Sequence, residues 1–350
     1  IRFNSIKKTM NFDNDRRKFL GKMALGTMVG LAPWNSLLAN SPIKAKAVEK
    51  AFIPVMLTPY KADMTVDYKG LKKLTDYYLE SGARGLFANC LSSEMYDLSP
   101  EERLKVTKTV VKKVNGKFPV VATGSFGNTA AEKAEFTKKI ADTGVDAVIM
   151  ITSHFAEKGE SDDVVIKNLE DYLALTGNIP LGTYECPSPY KRILSQPVLN
   201  FLLESGRFVY HKDTSEDIDN IKAKLETAKG SKLGLYNAHM GSAAASLRNG
   251  GAGLSPIAGN YYPEVIAWLC KYAENSGKKE QVDWLQEKLR DMESRITKNY
   301  MISSRYYLNK EGLDLELISR RAKNPLTADQ KAVVDQCYAE VQDWKQKLSI

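Results

Sequence analysis

A chain of 350 residues with 43% hydrophobic and 26% charged side chains is long enough for a large buried core and has the composition of a globular enzyme, not of a disordered or fibrous protein. Its formal charge of +8 is unevenly placed: residues 1–47 hold nine of the 50 Lys and Arg but two of the 42 Asp and Glu, which leaves 41 against 40 in residues 48–350. A nearly neutral body argues against a polyanion partner, so no nucleic acid is expected to bind.

Residues 1–47 read as an export signal and leader. Asp15-Arg16-Arg17-Lys18-Phe19-Leu20-Gly21-Lys22 resembles a twin-arginine export motif, and the apolar run from Met23 to Ala32 is too short to span a bilayer. Ala45-Lys46-Ala47 supplies a small-residue cleavage site, with Ala39 as a competitor. The expectation is an exported protein of the periplasm or cell surface, with no membrane attachment once the signal is removed. A leader without export function would leave it cytoplasmic. Cys90, Cys186, Cys270 and Cys337 form no C-x-x-C pair and no zinc-like spacing, and are expected to be reduced and buried.

From Phe52 onward, short apolar runs alternate with amphipathic stretches. Strands are predicted over Phe52–Leu57, Gly85–Ala88, Val120–Thr123, Ala147–Ile151, Leu181–Tyr184, Val209–Lys212, Leu233–Tyr236 and Gly253–Ser255. Helix-period stretches fall between them at Tyr68–Leu79, Glu101–Val114, Ala131–Ala141, Val164–Leu175 and Pro197–Leu203. Ser99-Pro100-Glu101-Glu102 has the form of a capping box, and Gly82, Gly144 and Gly206 stand where helices should stop. Strict βα alternation implies a parallel sheet with right-handed crossovers, and eight units over about 220 residues fit an α/β fold, the (β/α)8 TIM barrel, here residues 48–276. An open doubly wound sheet is the rival, but it calls for a glycine-rich phosphate turn where this chain has Thr58-Pro59-Tyr60. After Gly277 only helices are predicted, over Lys278–Leu308, Leu313–Ser319 and Ala328–Leu348, making residues 277–350 a C-terminal helical extension.

In such a barrel the chemistry gathers at the carboxyl ends of the strands. Alternation along Phe208-Val209-Tyr210-His211-Lys212 puts Phe208, Tyr210 and Lys212 on one face, directed into the barrel. A lysine there is costly to bury charged, so its pKa should fall, leaving neutral amine that can attack a ketone and form a Schiff base. The plain alternative is a lysine that snorkels to solvent. Tyr184, ending the fifth strand, is the candidate proton shuttle that carbinolamine dehydration and carbon–carbon cleavage both need. Ser92 and Ser93 follow the second strand, His154 the fourth and His239 the seventh, while Glu185 follows Tyr184 directly and Ser255 ends the eighth strand. All six are candidates for substrate binding. His154, His211, His239 and Glu185 raise zinc chemistry as a rival, but alternation turns His211 toward the helices and no H-x-H or H-x-x-x-H pair exists. No metal and no cofactor is expected. The glycine-rich stretch Gly250–Gly259 could hold a phosphate, yet it matches no nucleotide-binding pattern.

Taken together, Thr58-Pro59, Ser92-Ser93-Glu94, Asn128-Thr129-Ala130-Ala131-Glu132, Tyr184-Glu185-Cys186-Pro187, Lys212-Asp213-Thr214-Ser215 and Gly251-Ala252-Gly253 through Gly259-Asn260 resemble, in order, the dihydrodipicolinate synthase and N-acetylneuraminate lyase family of Schiff-base aldolases. The resemblance implies that Lys212 forms an imine with pyruvate or another 2-keto acid, that Tyr184 moves protons, and that Ser92 and Ser93 hold the keto-acid carboxylate. It also implies a small keto acid or keto-sugar acid as substrate, and a homo-oligomer, dimer or tetramer. Three positions depart from the family. Leu91 and Phe155 stand where relay hydroxyls belong, and Pro189 stands where the synthases carry an arginine for the second substrate's carboxylate, with Tyr190, Lys191 and Arg192 following. Pro189, the export signal and the run Leu235-Tyr236-Asn237 place the expectation nearer the lyases than the synthases. A dehydratase or hydrolase working through the same imine, or a non-catalytic keto-acid binding protein, are the alternatives.

Overall fold

A computed structural model describes residues 49–350; the twin-arginine-like motif, the apolar run and the cleavage site of the leader lie outside the described residues. Eight parallel strands, β1 (Ala51–Phe52), β2 (Leu86–Asn89), β3 (Val120–Thr123), β4 (Ala147–Ile151), β5 (Leu181–Tyr184), β6 (Phe208–Asp213), β7 (Gly234–Asn237) and β8 (Gly253–Leu254), form one sheet in the order β1-β8-β7-β6-β5-β4-β3-β2. The seam between β1 and β2 is joined by a parallel bridge of Val55 to Phe87, where the Phe87 N–H donates to Pro54 O at 3.0 Å and the Met56 N–H to Phe87 O at 3.0 Å. This is the expected (β/α)8 barrel. β1 is shorter than predicted because Pro54 has no N–H to give a ladder. β8 comes so close to β1 that a Cβ on Gly253 would lie 1.8 Å from Ala51 O.

Outside the barrel stand α1 (Tyr68–Glu80), α2 (Pro100–Val114), α3 (Ala130–Ala141), α4 (Asp162–Leu175), α5 (Gln196–Glu204), α6 (Ile218–Thr227), α7 (Ala243–Arg248) and α8 (Pro263–Tyr272). The Ser99–Glu102 capping box opens α2, with Pro100 in its first turn. The barrel interior is packed by Ile53, Val55, Phe87, Val121, Ile149, Ile151, Tyr184 and Tyr210, and two further clusters fill the space between strands and helices. All four cysteines are free and buried, as expected. Among the described residues no helix is long and apolar enough to cross a membrane.

Three expectations are corrected. Phe208 does not share the inward face of Tyr210 and Lys212 but packs among residues of the helix layer. The β5–β6 register runs from Leu181↔Phe208 directly to Gly182↔Tyr210, so Val209 is an extra residue and the bulge reverses the alternation behind it. Gly182 makes room for this, since a Cβ there would lie 2.8 Å from Tyr210 O.

The helix predicted over Lys278–Leu308 is two helices, α9 (Lys279–Ile296) and α10 (Tyr300–Lys310), separated at Asn299, which takes the left-handed conformation (φ 49°) that asparagine tolerates. The helix predicted over Leu313–Ser319 is absent. That segment is held by Glu94, whose carboxylate accepts from the Ser319 hydroxyl (2.9 Å) and the Arg320 and Arg321 N–H groups (2.7 and 3.0 Å). The chain closes with α11 (Ala328–Leu348), as predicted.

Candidate active site

Lys212 and Tyr184 are direct partners in the β5–β6 register, and Lys212 Nζ lies 4.4 Å from the centroid of the Tyr184 ring and 6.0 Å from that of Phe87. Lys212 is 3% exposed, and no carboxylate is among the groups that act on its charge. Burial therefore lowers its pKa to about 8. The nearby Cys186 thiol is pushed up to about 11 by burial, so Cys186 supplies no thiolate to offset the ammonium at neutral pH. Tyr184 is held well above its ordinary value, again by burial, and keeps its proton as an acid should. Tyr210 lies one step deeper along β6, stacked on Tyr236 at 4.6 Å.

Ser92 and Ser93 sit in a 3₁₀ turn, Leu91–Ser93, directly after β2. The Ser93 hydroxyl is engaged by its own scaffold: it donates to Met56 O (2.7 Å) and Ala88 O (3.1 Å) and accepts from the Cys90 N–H. Ser92 Oγ instead accepts a hydrogen bond of 2.9 Å from the hydroxyl of Tyr300, on α10. Ser255 is buried, accepting from the Tyr210 hydroxyl (3.0 Å) and donating to Ile53 O (2.8 Å).

Glu185 is corrected as a substrate ligand. It follows an inward-facing tyrosine, so its carboxylate turns to the helix side of the sheet, where it is fully buried and accepts from the Leu194 and Thr214 N–H groups (both 2.8 Å) and from Lys224 of α6. Lys224 Nζ also donates to Asp213 Oδ2 at 2.6 Å. His211 joins the group, 3.6 Å from Glu185 and 3.7 Å from Asp213, on the outward face that alternation assigns it. Glu185, His211 and Asp213 approach one another closely enough for a metal site, but the Lys224 ammonium pairs with both carboxylates. This cluster joins the two strands that carry Tyr184 and Lys212, on the face opposite to them.

Burial works against ionising Asp213, but the His211 contact and the Lys224 charge overcome it and hold the carboxyl below its usual range. A lowered carboxyl contributes stability above the unfolded value of roughly 4 and loses it as pH falls further. Lys224→Met is expected to move the acid-unfolding midpoint up by about one pH unit, read by circular dichroism. An unchanged midpoint would mean the cluster does not brace the strands.

His154 lines a different space. A cleft of about 800 Å³ lies over the ends of β3 and β4, walled by Tyr96, Phe126, Lys133, His154, Glu157 and Pro189 among others, and neither Lys212 nor Tyr184 is in its wall. Burial lowers the pKa of His154 to about 4, so the ring is neutral at pH 7. Its Nδ1 lies 2.6 Å from Ser125 O and its Nε2 2.9 Å from the Tyr96 hydroxyl. His239 faces the C-terminal extension, 3.4 Å from Glu293 of α9. Of the relay positions, Phe155 packs on Tyr172 at 5.1 Å in the helix layer. Lys191 and Arg192 pair with Glu216 (2.8 Å) and Asp162 (3.3 Å). Sequence reading missed Tyr300 and Tyr96. Tyr300 stands about two hundred positions from the loop it meets, with no local signal, whereas Tyr96 lies two residues beyond Glu94 and was within reach.

A desolvated lysine beside a protonated tyrosine at the strand ends of a (β/α)8 barrel is the equipment of a class I, Schiff-base-forming aldolase. Residues 49–341 match the dihydrodipicolinate synthetase family, and the chain belongs to that family of class I aldolase enzymes. It is 27% identical over 259 residues to the 4-hydroxy-tetrahydrodipicolinate synthase of Saccharophagus degradans, covering 74% of this chain and 87% of the relative. The synthase of Methanococcus maripaludis is 27% identical over 237 residues, 67% of this chain and 79% of its own. Two solved structures share the fold. A prophage protein of the dihydrodipicolinic acid synthase family from E. coli K12, in complex with pyruvate, gives a TM-score of 0.75 at 20% identity over 85% of this chain and 99% of its own. CdNal from Clostridium difficile, in complex with mannosamine, gives 0.74 at 16% over 83% and 98%.

Proposed function

We propose that this enzyme reversibly forms or cleaves a carbon–carbon bond of a pyruvate-type 2-keto acid through an imine at Lys212. The observation that carries the reading is the buried Lys212, which has no ion-pair partner among the described residues, its pKa lowered to about 8, packed against Tyr184. The neutral amine adds to the keto carbon; Tyr184 protonates the departing carbinolamine oxygen, which leaves as water, and the protonated imine remains. When the bond beyond C3 breaks, its electron pair enters the imine to give an enamine, and the proton of the hydroxyl that becomes the aldehyde passes to the tyrosinate. Ser92 supplies the hydroxyl donor to the keto-acid carboxylate.

Within the family, a lyase is favoured over a synthase by Pro189 in place of the arginine for a second carboxylate, with Lys191 and Arg192 already paired to Glu216 and Asp162. The curated relatives carry synthase names, so the substrate panel must include both kinds of aldehyde partner. Leu91 and Phe155, which offer no relay hydroxyl, favour as a second reading a dehydratase acting through the same imine.

Borohydride trapping tests the proposal. Protein incubated with pyruvate or a panel of 2-keto acids and reduced is expected to gain the adduct mass on the peptide containing Lys212, and Lys212→Ala is expected to gain none. Wild-type protein that traps no keto acid would overturn the imine mechanism.

A further inference from the structure

The α10 helix of the C-terminal extension sends one hydroxyl to the site. The Tyr300 hydroxyl donates to Ser92 Oγ at 2.9 Å and accepts from the Asn260 side-chain amide, whose carbonyl oxygen accepts from the hydroxyl of Tyr78. The direction of this chain is fixed. Asn260 Nδ2 also donates to Val55 O at 2.8 Å, and a main-chain carbonyl can only accept, so the amide cannot be turned over. Its nitrogen therefore faces Tyr300 and its oxygen faces Tyr78. Tyr300, accepting from that nitrogen, places its own proton on Ser92.

Tyr78 and Asn260 are fully buried and Ser92 is 4% exposed. Tyr300 is partly exposed as a residue, but its hydroxyl end is deep enough that burial raises its pKa. Every proton in the chain has an acceptor up to the last. Ser92 Oγ receives one hydrogen bond, and among the described residues no protein atom accepts the proton it carries. Ser93 differs, since its proton is taken by Met56 and Ala88. A buried hydroxyl whose lone pair is filled by a tyrosine donor, and whose proton has no protein partner, is set to donate to a ligand. Hydrogen bonds aligned in one direction also polarise each other, which strengthens the last donor.

We propose that Tyr300 is a positioning residue that fixes Ser92 as a hydrogen-bond donor to the carboxylate of the substrate, so that selection for an acid over a neutral ketone depends on the C-terminal extension. The inference rests on the imine reading above and deepens it. It assigns the preference for a charged substrate to a side chain outside the barrel, in a chain whose loop carries Leu91 on the N-terminal side of Ser92 and a Ser93 hydroxyl already given to the scaffold.

The test compares the trapping of pyruvate with that of methyl pyruvate, which offers the same keto carbon without the anionic carboxylate. In the full chain, Tyr300→Phe is expected to raise the half-saturating pyruvate concentration about tenfold and to leave methyl pyruvate within about twofold. Ser92→Ala is expected to give the same split, and Ser92→Ala with Tyr300→Phe no more than Ser92→Ala alone, because the two act as one chain. Melting curves for each variant separate loss of fold from loss of binding. Equal weakening toward both ligands, or full additivity of the two substitutions, would overturn the role of Tyr300 while leaving the imine in place. A wild-type protein that traps neither ligand would overturn both readings.

Discussion

Replacing Lys212 by methionine is expected to abolish turnover, by about four orders of magnitude or more, and at the same time to stabilise the protein at neutral pH. Both effects come from one physical cause. Burial lowers the pKa of Lys212 from 10.5 to about 8. At pH 7 about one molecule in ten then carries the neutral amine, roughly three hundred times the fraction of an ordinary lysine. The initial rate of imine trapping should therefore climb about tenfold per pH unit below pH 8 and level off above it.

The same shift destabilises the fold. The unfolded chain binds a proton at Lys212 up to its ordinary value, whereas the folded chain releases it near pH 8. Between those values the unfolded state holds more protons, so stability rises with pH; below pH 8 the full penalty applies, about 3 kcal/mol. Lys212→Met removes that penalty, and its melting temperature at pH 7 should exceed that of the wild type, the difference shrinking toward zero as pH approaches 10.5. A methionine variant that melts below the wild type at pH 7 would show that the lysine is solvated after all.

The second large effect is expected at the far end of the chain. Arg305 and Glu94 are both fully buried, with Arg305 Nη2 2.7 Å from Glu94 Oε1 and 2.8 Å from Thr58 O. Removing one member of such a pair strands a charge in the interior, which costs about 3–5 kcal/mol, whereas replacing both with neutral residues of similar volume costs much less. Arg305→Met should therefore destabilise severely in chemical denaturation, and Glu94→Gln with Arg305→Met should recover much of the loss. Activity should not return with stability. Glu94 Oε2 also gathers Ser319, Arg320 and Arg321, and Glu94 itself ends the turn that presents Ser92. If the double variant is no more stable than Arg305→Met, the pair's charge is not what holds this corner together.

The barrel was legible because its signals are local. Short, fully buried runs rich in apolar residues mark β3, β4 and β5 to the residue, and the Ser99–Glu102 box marks the start of α2. Lys212 and Tyr184 could be paired for the same reason, as each ends a strand and neighbouring strands in a parallel barrel bring their ends together. What could not be read depends on contacts between distant parts of the chain. Phe208 faces away from Tyr210 because of a bulge that the mate strand imposes. The outward direction of Glu185 is itself legible from period-2 geometry along β5, but Lys224 of α6, which meets it there, has no mark in the sequence. Leu313–Ser319 has the composition of a helix, yet the N–H groups just beyond it are claimed by a carboxylate more than two hundred positions earlier.

That last arrangement sets an order of events. Ribosomal synthesis delivers the N-terminal part of a chain first, so strands β1 to β8 emerge before the segment from Arg305 to Arg321 that Glu94 requires. Until that segment has been made, the carboxylate at the end of the turn carrying Ser92 has no guanidinium partner, and Ser92 has no tyrosine donor. The turn that follows β2 is thus finished by the tail: residues made last complete the hydrogen bonds of a loop made early, and barrel and tail share one hydrophobic core.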